Sequence, residues 1–402
     1  MMPILSPIDP GGVMTLFFRR IVSSIVLGLA LAHPVQAFDT GAKAAFVFDM
    51  TTGTVLLDRN ADTPLPPASM SKLMTLYVAF EAIRDGRLSL DERLPVSRHA
   101  MSYGGSTMFL DTTDRVRVED LLRGIIVLSG NDACAVIAEA LSPDGSEAGF
   151  ATFMTQRAQQ MGMTNSTFKN SNGWPAPGHE MSMRDLALLA RHIITDFPDF
   201  YPMFSETEFQ FDGRAPRNSQ NRNPLLSLGV GADGLKTGHT QQAGYGLTGS
   251  AKQGDRRVVF VLSGLESAQA RARESEAVVN WAFRQFARKS VVKAGEEVAR
   301  APIWMGEADS VGLTPAEDVS TLMPVLGSSV LKAEVVFTGP VRAPVKKGDQ
   351  IAELVFAPEG LPETRVPLVA AEDVAKGGFT ARLRTVSGLL LTRLQQGPEG
   401  AL

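Results

Sequence analysis

Residues 233–265, DGLKTGHTQQAGYGLTGSAKQGDRRVVFVLSGL, constrain the fold more than any other stretch of the chain. Three runs separated by glycine-rich turns predict three successive sheet strands. Two further strands are predicted far upstream, in KAAFVFDMTTGTVLLDRN (43–60), joined by a turn at Thr52-Gly53. The sequence between these two strand regions is largely helical in character. ARESEAVVNWAFRQFA (272–287) then adds a helix that closes the unit. A sheet flanked by helical segments from both ends of one domain is an α/β (α+β) arrangement.

Within the helical part, Pro66 and Pro67 stop any strand, and an apolar run at helical spacing follows: Leu73, Leu76, Tyr77, Phe80 and Ile83, ended by Asp85-Gly86. VEDLLRGIIVLSGNDACAVIAEAL (118–141) reads as a helical hairpin broken at Ser129-Gly130-Asn131, where Gly130 permits a tight turn. A polar loop, NSTFKNSNGWPAPGHEMS (165–182), precedes a helix in MRDLALLARHIITDF (183–197). From residue 288 the pattern changes to short alternating stretches, such as AEVVF, QIAELVF and ETRVPLV, separated by Gly and Pro turns. Residues 288–378 are therefore expected to form a small all-β domain after a catalytic domain at 38–287.

The two ends read differently. Arg19 and Arg20, the apolar run IVSSIVLGLALA, and Val35 and Ala37 at the −3 and −1 positions form an export signal over 1–37, with Met14 as an alternative start. The mature chain is expected outside the cytoplasm, in a periplasm. At 379–402, Phe379, Leu383, Val386, Leu390 and Leu394 share one helical face, with Arg382, Arg384 and Arg393 elsewhere. This segment is either a peripheral anchor on the outer face of the cytoplasmic membrane or a terminal helix packed on the β domain. The formal charge of −4 argues against a nucleic-acid partner. The five histidines are widely scattered, so no metal cluster and no cofactor is expected; the one cysteine, Cys134, excludes an intrachain disulfide.

The pair S-x-x-K occurs at Ser69–Lys72, Ser166–Lys169, Ser290–Lys293 and Ser329–Lys332. Only the first opens an apolar helix, where unpaired N–H groups and the helix dipole favour developing negative charge. At a separation of three residues, the hydroxyl and amine share a helix face. A lysine can take a serine proton only when neutral. Bringing its pKa from about 10.4 toward 7 requires the site to disfavour the cation by roughly 4–5 kcal/mol. Lys236 brought near would contribute to that. Ser129 can relay a proton to a leaving amine, and Asn131 can hold a substrate amide. Lys236-Thr237-Gly238 on an edge strand can pair with an extended peptide.

With S-M-S-K, S-G-N and K-T-G in this order, the sequence resembles the penicillin-interacting serine acyltransferases. PASMSKLMT, LLRGIIVLSGNDACAVIAE, MGMTNSTFKNSNGW and NRNPLL…DGLKTGHTQQAGYGLTGSA are most similar to low-molecular-mass D-alanyl-D-alanine carboxypeptidases, over nearly all of 38–380. The resemblance implies removal of the terminal D-alanine from peptidoglycan pentapeptides and covalent binding of β-lactams. It implies an acyl-enzyme on Ser69, with Lys72 as base and Ser129 and Asn131 as the second wall. Arg222, in NRN, would pair with the terminal carboxylate, and Lys236, Thr237 and Gly238 would bind substrate. Backbone N–H groups of Ser69 and His239 would form the oxyanion hole. Asn172 stands where some relatives carry histidine, which leaves the details of deacylation open. His179 and Glu180 are read as loop structure and Cys134 as an inert buried thiol. The alternatives are a DD-endopeptidase or weak β-lactamase using the same site, and an envelope-binding protein with a dead site. Glu180 has Arg184, not asparagine, four residues on, unlike a class A β-lactamase; the intact Ser-Lys pair argues against a dead site.

Overall fold

The strand at Ala44–Asp49 (β1) is buried along its whole length, and its alternation serves two different cores. Ala44, Phe46 and Phe48 point into one, Ala45 and Val47 into the other. Because successive side chains point to opposite faces, a one-residue slip would exchange the two sets. Val55–Arg59 (β2) pairs back on β1 through the expected turn. Asp49 builds that turn, its Oδ1 accepting from the backbone N–H of Thr52 at 2.8 Å, while Oδ2 receives the buried Arg256 Nε at 2.9 Å. The computed structural model describes residues 38–215, 217–326 and 331–379. The export signal, the tail beyond Phe379, and Ser329 lie outside the described residues.

One helix, Lys72–Arg84 (α1), is buried from Lys72 to Ala82 on every side, and its buried Lys72, Thr75 and Glu81 each have hydrogen-bond partners in the fold. A small hairpin of Arg93–Pro95 (β3) and Arg115–Arg117 (β4) and the short helix Arg98–Met101 (α2) follow. Val118–Arg123 (α3) continues into a π-helical turn, Gly124–Leu128, and the chain re-enters helix at Asn131–Leu141 (α4). Glu147–Gln160 (α5) and Met183–Asp196 (α6) are each N-capped by a serine, Ser146 and Ser182, which accept from backbone N–H groups left free in the first turn.

The three strands expected at 233–265 are Ala232–Thr240 (β5), Gly244–Gln253 (β6) and Arg256–Leu265 (β7). With β1 and β2 they form one antiparallel sheet of order β2-β1-β7-β6-β5. Tight turns join β1 to β2 and β5 to β6 to β7, which only antiparallel pairs allow, while β1 and β7 pair across the helical part of the sequence. Helices α1, α4, α5 and α6 cover one face, and Ala268–Gln285 (α7) covers the other through Val278, Val279 and Ala282. Each large apolar side chain buried in these layers contributes roughly 1.5–3 kcal/mol.

Helix α7 ends at Gln285, and the chain runs directly into strand Phe286–Val292 (β8). Ala299–Trp304 (β9), Ser310–Pro315 (β10), Val319–Pro324 (β11), Ala333–Val336 (β12), Val341–Arg342 (β13), Gln350–Phe356 (β14) and Thr364–Ala370 (β15) are the remaining strands among the described residues. They form a β8–β11 pair and a sheet of order β12-β14-β15-β10-β9-β13, with a separate apolar core. The all-β character expected of this part is realised.

Candidate active site

Ser69 lies in a 3-10 turn, Ala68–Ser71, immediately before α1. Ala68 is held at φ 48°, a left-handed conformation costing about 1–2 kcal/mol in a residue with a Cβ. The turn places Ser69 at the mouth of the cleft and sends Lys72 into the protein, where it is 0% exposed. Lys72 Nζ stands 3.0 Å from Ser69 Oγ and donates to Asn131 Oδ1 at 2.7 Å and to the backbone carbonyl of Asn172. Three acceptors match the three donors of an ammonium; a neutral amine turns its lone pair to the Ser69 hydroxyl, the one partner of the three with a proton to give. Burial is the main cause that brings the Lys72 pKa down to about 8. That change is worth about 3 kcal/mol against the cation, the larger part of what a lysine neutral near pH 7 requires.

The second wall comes from the break after the π-helical turn. Ser129 adopts φ 63° and is buried. A π-turn followed by a left-handed non-glycine residue is the kind of local strain that functional sites hold. Asn131 has a task in the free protein as well. Its carboxamide already serves the free protein, Oδ1 accepting from Lys72 and Nδ2 donating to Gly104 O at 2.8 Å. A buried amide must be satisfied, so it orients Lys72 and keeps one N–H for a ligand.

The third wall is β5, the edge strand of the sheet. Gly238 is required there by close approach: a Cβ would come within 2.9 Å of Pro67 O and 3.1 Å of Met70 Cγ, in and beside the Ser69 turn. Lys236 and Thr237 are buried, and Lys236 Nζ donates to Thr237 O at 3.2 Å. Burial first, then the cations Lys72 and Arg222, push the Lys236 pKa well down. For Lys72 itself, burial comes first, and Arg222 is the cation that adds to it. His239 is exposed and stacks on its cross-strand partner Tyr245 at 3.8 Å between ring centroids. Ser69, Asn131, Asn172, His239 and Thr240 line a cleft of about 300 Å³, with Trp174 and Pro175 on its rim.

Arg222 is presented by the two asparagines around it. Asn221 accepts from Asn223 N at 3.0 Å and anchors to Glu206 O, while Asn223 Nδ2 donates to Gly234 O at 3.0 Å on β5. The exposed Arg222 guanidinium donates to Ser106 Oγ at 2.6 Å.

A profile of the D-alanyl-D-alanine carboxypeptidase family matches residues 31–266, and one of the penicillin-binding protein 5 C-terminal domain matches 286–376. The chain belongs to the D-alanyl-D-alanine carboxypeptidase family. It is 37% identical over 363 residues to D-alanyl-D-alanine carboxypeptidase DacC of Escherichia coli K12, covering 88% of this chain and 89% of that one. It is 31% identical to DacF of Bacillus subtilis 168, covering 92% and 98%. Penicillin-binding protein 5 of Haemophilus influenzae superposes with a TM-score of 0.74 at 33% identity, over 84% of this chain and 98% of that one. Membership makes this protein a serine-type hydrolase of the penicillin-binding type.

Within this carboxypeptidase, the other Ser-Lys pairs have different surroundings. Ser166 is buried and donates to Asp185 at 2.7 Å, and Ser290 lies on β8. Cys134 is fully buried on α4, and burial pushes its thiol up to about 12, as an inert thiol requires. His179 is buried, its Nδ1 accepting from Lys169 N at 3.3 Å, and burial lowers its pKa to about 4; Glu180 is exposed and pairs its backbone with Thr167. Both are loop structure. Two participants are not evident in the sequence. The Asn172 carbonyl is a backbone group, which any residue would supply. Arg271, on α7, reaches Arg222 O at 3.4 Å and lies over the Tyr245 ring at 5.8 Å. In the sequence it is one arginine among several on a helix.

Proposed function

We propose that this carboxypeptidase is exported to the periplasm and removes the terminal D-alanine from peptidoglycan pentapeptide stems through an acyl-enzyme on Ser69, and that β-lactams acylate the same oxygen. One observation carries the reading: a fully buried Lys72, its cation disfavoured, lies 3.0 Å from Ser69 Oγ. Ser69 Oγ attacks the scissile carbonyl carbon and its proton passes to Lys72 Nζ. The oxyanion is received by the N–H groups of Ser69 and His239, each such donor worth roughly 3 kcal/mol. The C–N bond breaks as the leaving amine takes a proton through Ser129. Water then hydrolyses the ester. The stem adds to the edge of β5 beside Lys236, Thr237 and Gly238. Names of relatives support the substrate class, and a Listeria monocytogenes relative, 31% identical, was solved in an ampicillin-bound form. The tail after Phe379 is proposed to touch the outer face of the cytoplasmic membrane peripherally.

Mass spectrometry after benzylpenicillin is expected to map one adduct to Ser69, and pentapeptide to lose one D-alanine. Cleavage confined to cross-linked muropeptides would replace this reading with an endopeptidase. The acylation rate is expected to rise tenfold per pH unit up to about 8, the Lys72 value, and to level above it. The sign follows from the base: the productive form is the neutral amine, which gains population as pH rises. A rate independent of pH across that region excludes Lys72 as base.

Arg222→Ala is expected to lower kcat/KM on D-Ala-D-Ala peptides by a factor corresponding to roughly 1.5–3 kcal/mol, the worth of a hydrogen bond to a charged group. A guanidinium binds a carboxylate bidentately, which alanine cannot. The loss should be far smaller on a substrate with an amidated C-terminus, where the interaction is already missing. Equal losses on both substrates would make Arg222 a support of the strand.

A further inference from the structure

Glu147, the first residue of α5, is buried, and its carboxylate takes four hydrogen bonds. Oε1 accepts from Ser171 N at 2.9 Å and Ser171 Oγ at 2.5 Å; Oε2 accepts from Tyr103 OH at 2.7 Å and His99 Nε2 at 2.6 Å. An ionised carboxylate has no donor, so His99 presents Nε2–H to it. Burial alone would raise the Glu147 pKa, but these donors outweigh it and hold the group below its ordinary value.

Two of the three partners of this carboxylate, Ser171 and Tyr103, lead toward Lys72. Ser171 is followed by Asn172, whose carbonyl accepts from Lys72 Nζ, and Ser171 O accepts at 2.6 Å from the hydroxyl of Thr75, one helical turn further along α1. Tyr103 is followed by Gly104, whose carbonyl receives Asn131 Nδ2 at 2.8 Å, and Asn131 Oδ1 is a further acceptor of Lys72. One buried carboxylate therefore holds the residue before Asn172, which supports the amine, and the residue before Gly104, which supports Asn131. The loops carrying these supports meet again at the cleft, where Tyr103 packs edge-on against Trp174.

We propose that Glu147 is a positioning residue for acylation: it ties the Ser171–Asn172 loop to the Tyr103–Gly104 loop and so holds Lys72 Nζ between Asn172 O and Asn131 Oδ1, aimed at Ser69. The inference rests on the reading of Lys72 as the base. Loose support for a reacting group costs rate steeply, since a misplacement of about 1 Å can lose on the order of 100-fold. The charge of Glu147 has a separate effect. The ionisable groups around Lys72 are Cys134 and Asp132 on α4, Glu147 on α5, Lys236 on β5, and Arg222 and His179 on loops. Burial first opposes the Lys72 cation; of the two carboxylates among these groups, Asp132 and then Glu147 favour it. Removing the charge of Glu147 while keeping its shape moves the acid limb of the acylation profile to lower pH.

The test is the acylation rate with a fluorescent penicillin, measured on the full chain across the neutral to alkaline range for wild type, Glu147→Gln and Glu147→Ala. Glutamine can still accept from Ser171 and can donate to a neutral His99. Glu147→Gln is expected to keep its plateau within about 3-fold of wild type, with the acid limb at lower pH. Glu147→Ala is expected to lose about 10- to 100-fold on the plateau. An alanine variant that folds and keeps both plateau and limb overturns the proposal. So does a loss in both variants that follows thermal stability alone, with the limb unmoved. If Glu147→Ala does not fold, Tyr103→Phe and Ser171→Ala decide, each removing one donor; acylation unchanged in both overturns it. Failure of the wild type to label would sink the Ser69 reading instead, which keeps the two claims separate.

Discussion

Ser69→Ala is expected to give no penicillin adduct and to lower D-alanine release by a factor on the order of 10⁶, the scale of loss when a serine nucleophile is removed. No other described hydroxyl has its place: it alone lies 3.0 Å from the buried amine and lines the cleft. The fold should persist. Ser69 is half-buried, and without its hydroxyl Lys72 retains Asn131 Oδ1 and the Asn172 carbonyl. Thermal unfolding close to wild type, alongside absent labelling, is the expected pair of results. Equal labelling of Ser69→Ala would remove Ser69 from the mechanism and return attention to the remaining Ser-Lys pairs.

Lys72→Arg should lose acylation by roughly 10²–10⁴-fold, the range that a positioned base supplies. Arginine keeps the positive charge, cannot lose a proton in a protein, and is larger than the site, which is closed around a side chain with no exposure. Lys236→Arg provides the contrast. If Lys236 serves to attract an anionic substrate, a guanidinium there preserves the charge and part of the activity, less the cost of fitting a larger side chain at this buried position. Rates of acylation for the two variants, measured beside their melting temperatures, separate chemistry from folding. Near wild-type acylation by Lys72→Arg would mean that another group takes the Ser69 proton.

Much of this site is legible in the order of residues alone. Pro66 and Pro67 ahead of an apolar helical run select Ser69 from four Ser-Lys pairs, because only a helix start combines the spacing with free N–H groups. The strands at 233–265 and the break at Ser129-Gly130-Asn131 are local patterns of period and glycine placement, and local patterns survive in one dimension. What the tertiary structure alone decided is set by neighbours distant in sequence. Lys72 is brought to a pKa of about 8 mainly by burial, a property no tripeptide carries. One of its supports is the carbonyl of a residue 100 positions away, and a backbone carbonyl leaves no mark in a sequence. Gly238 has its reason in the approach of Pro67 and Met70, and Glu147 in two loops that meet only when the domain closes. Sequence determines which groups can react; packing determines which are neutral, which are aimed, and what holds them there, because desolvation and hydrogen-bond geometry depend on the whole surroundings of an atom.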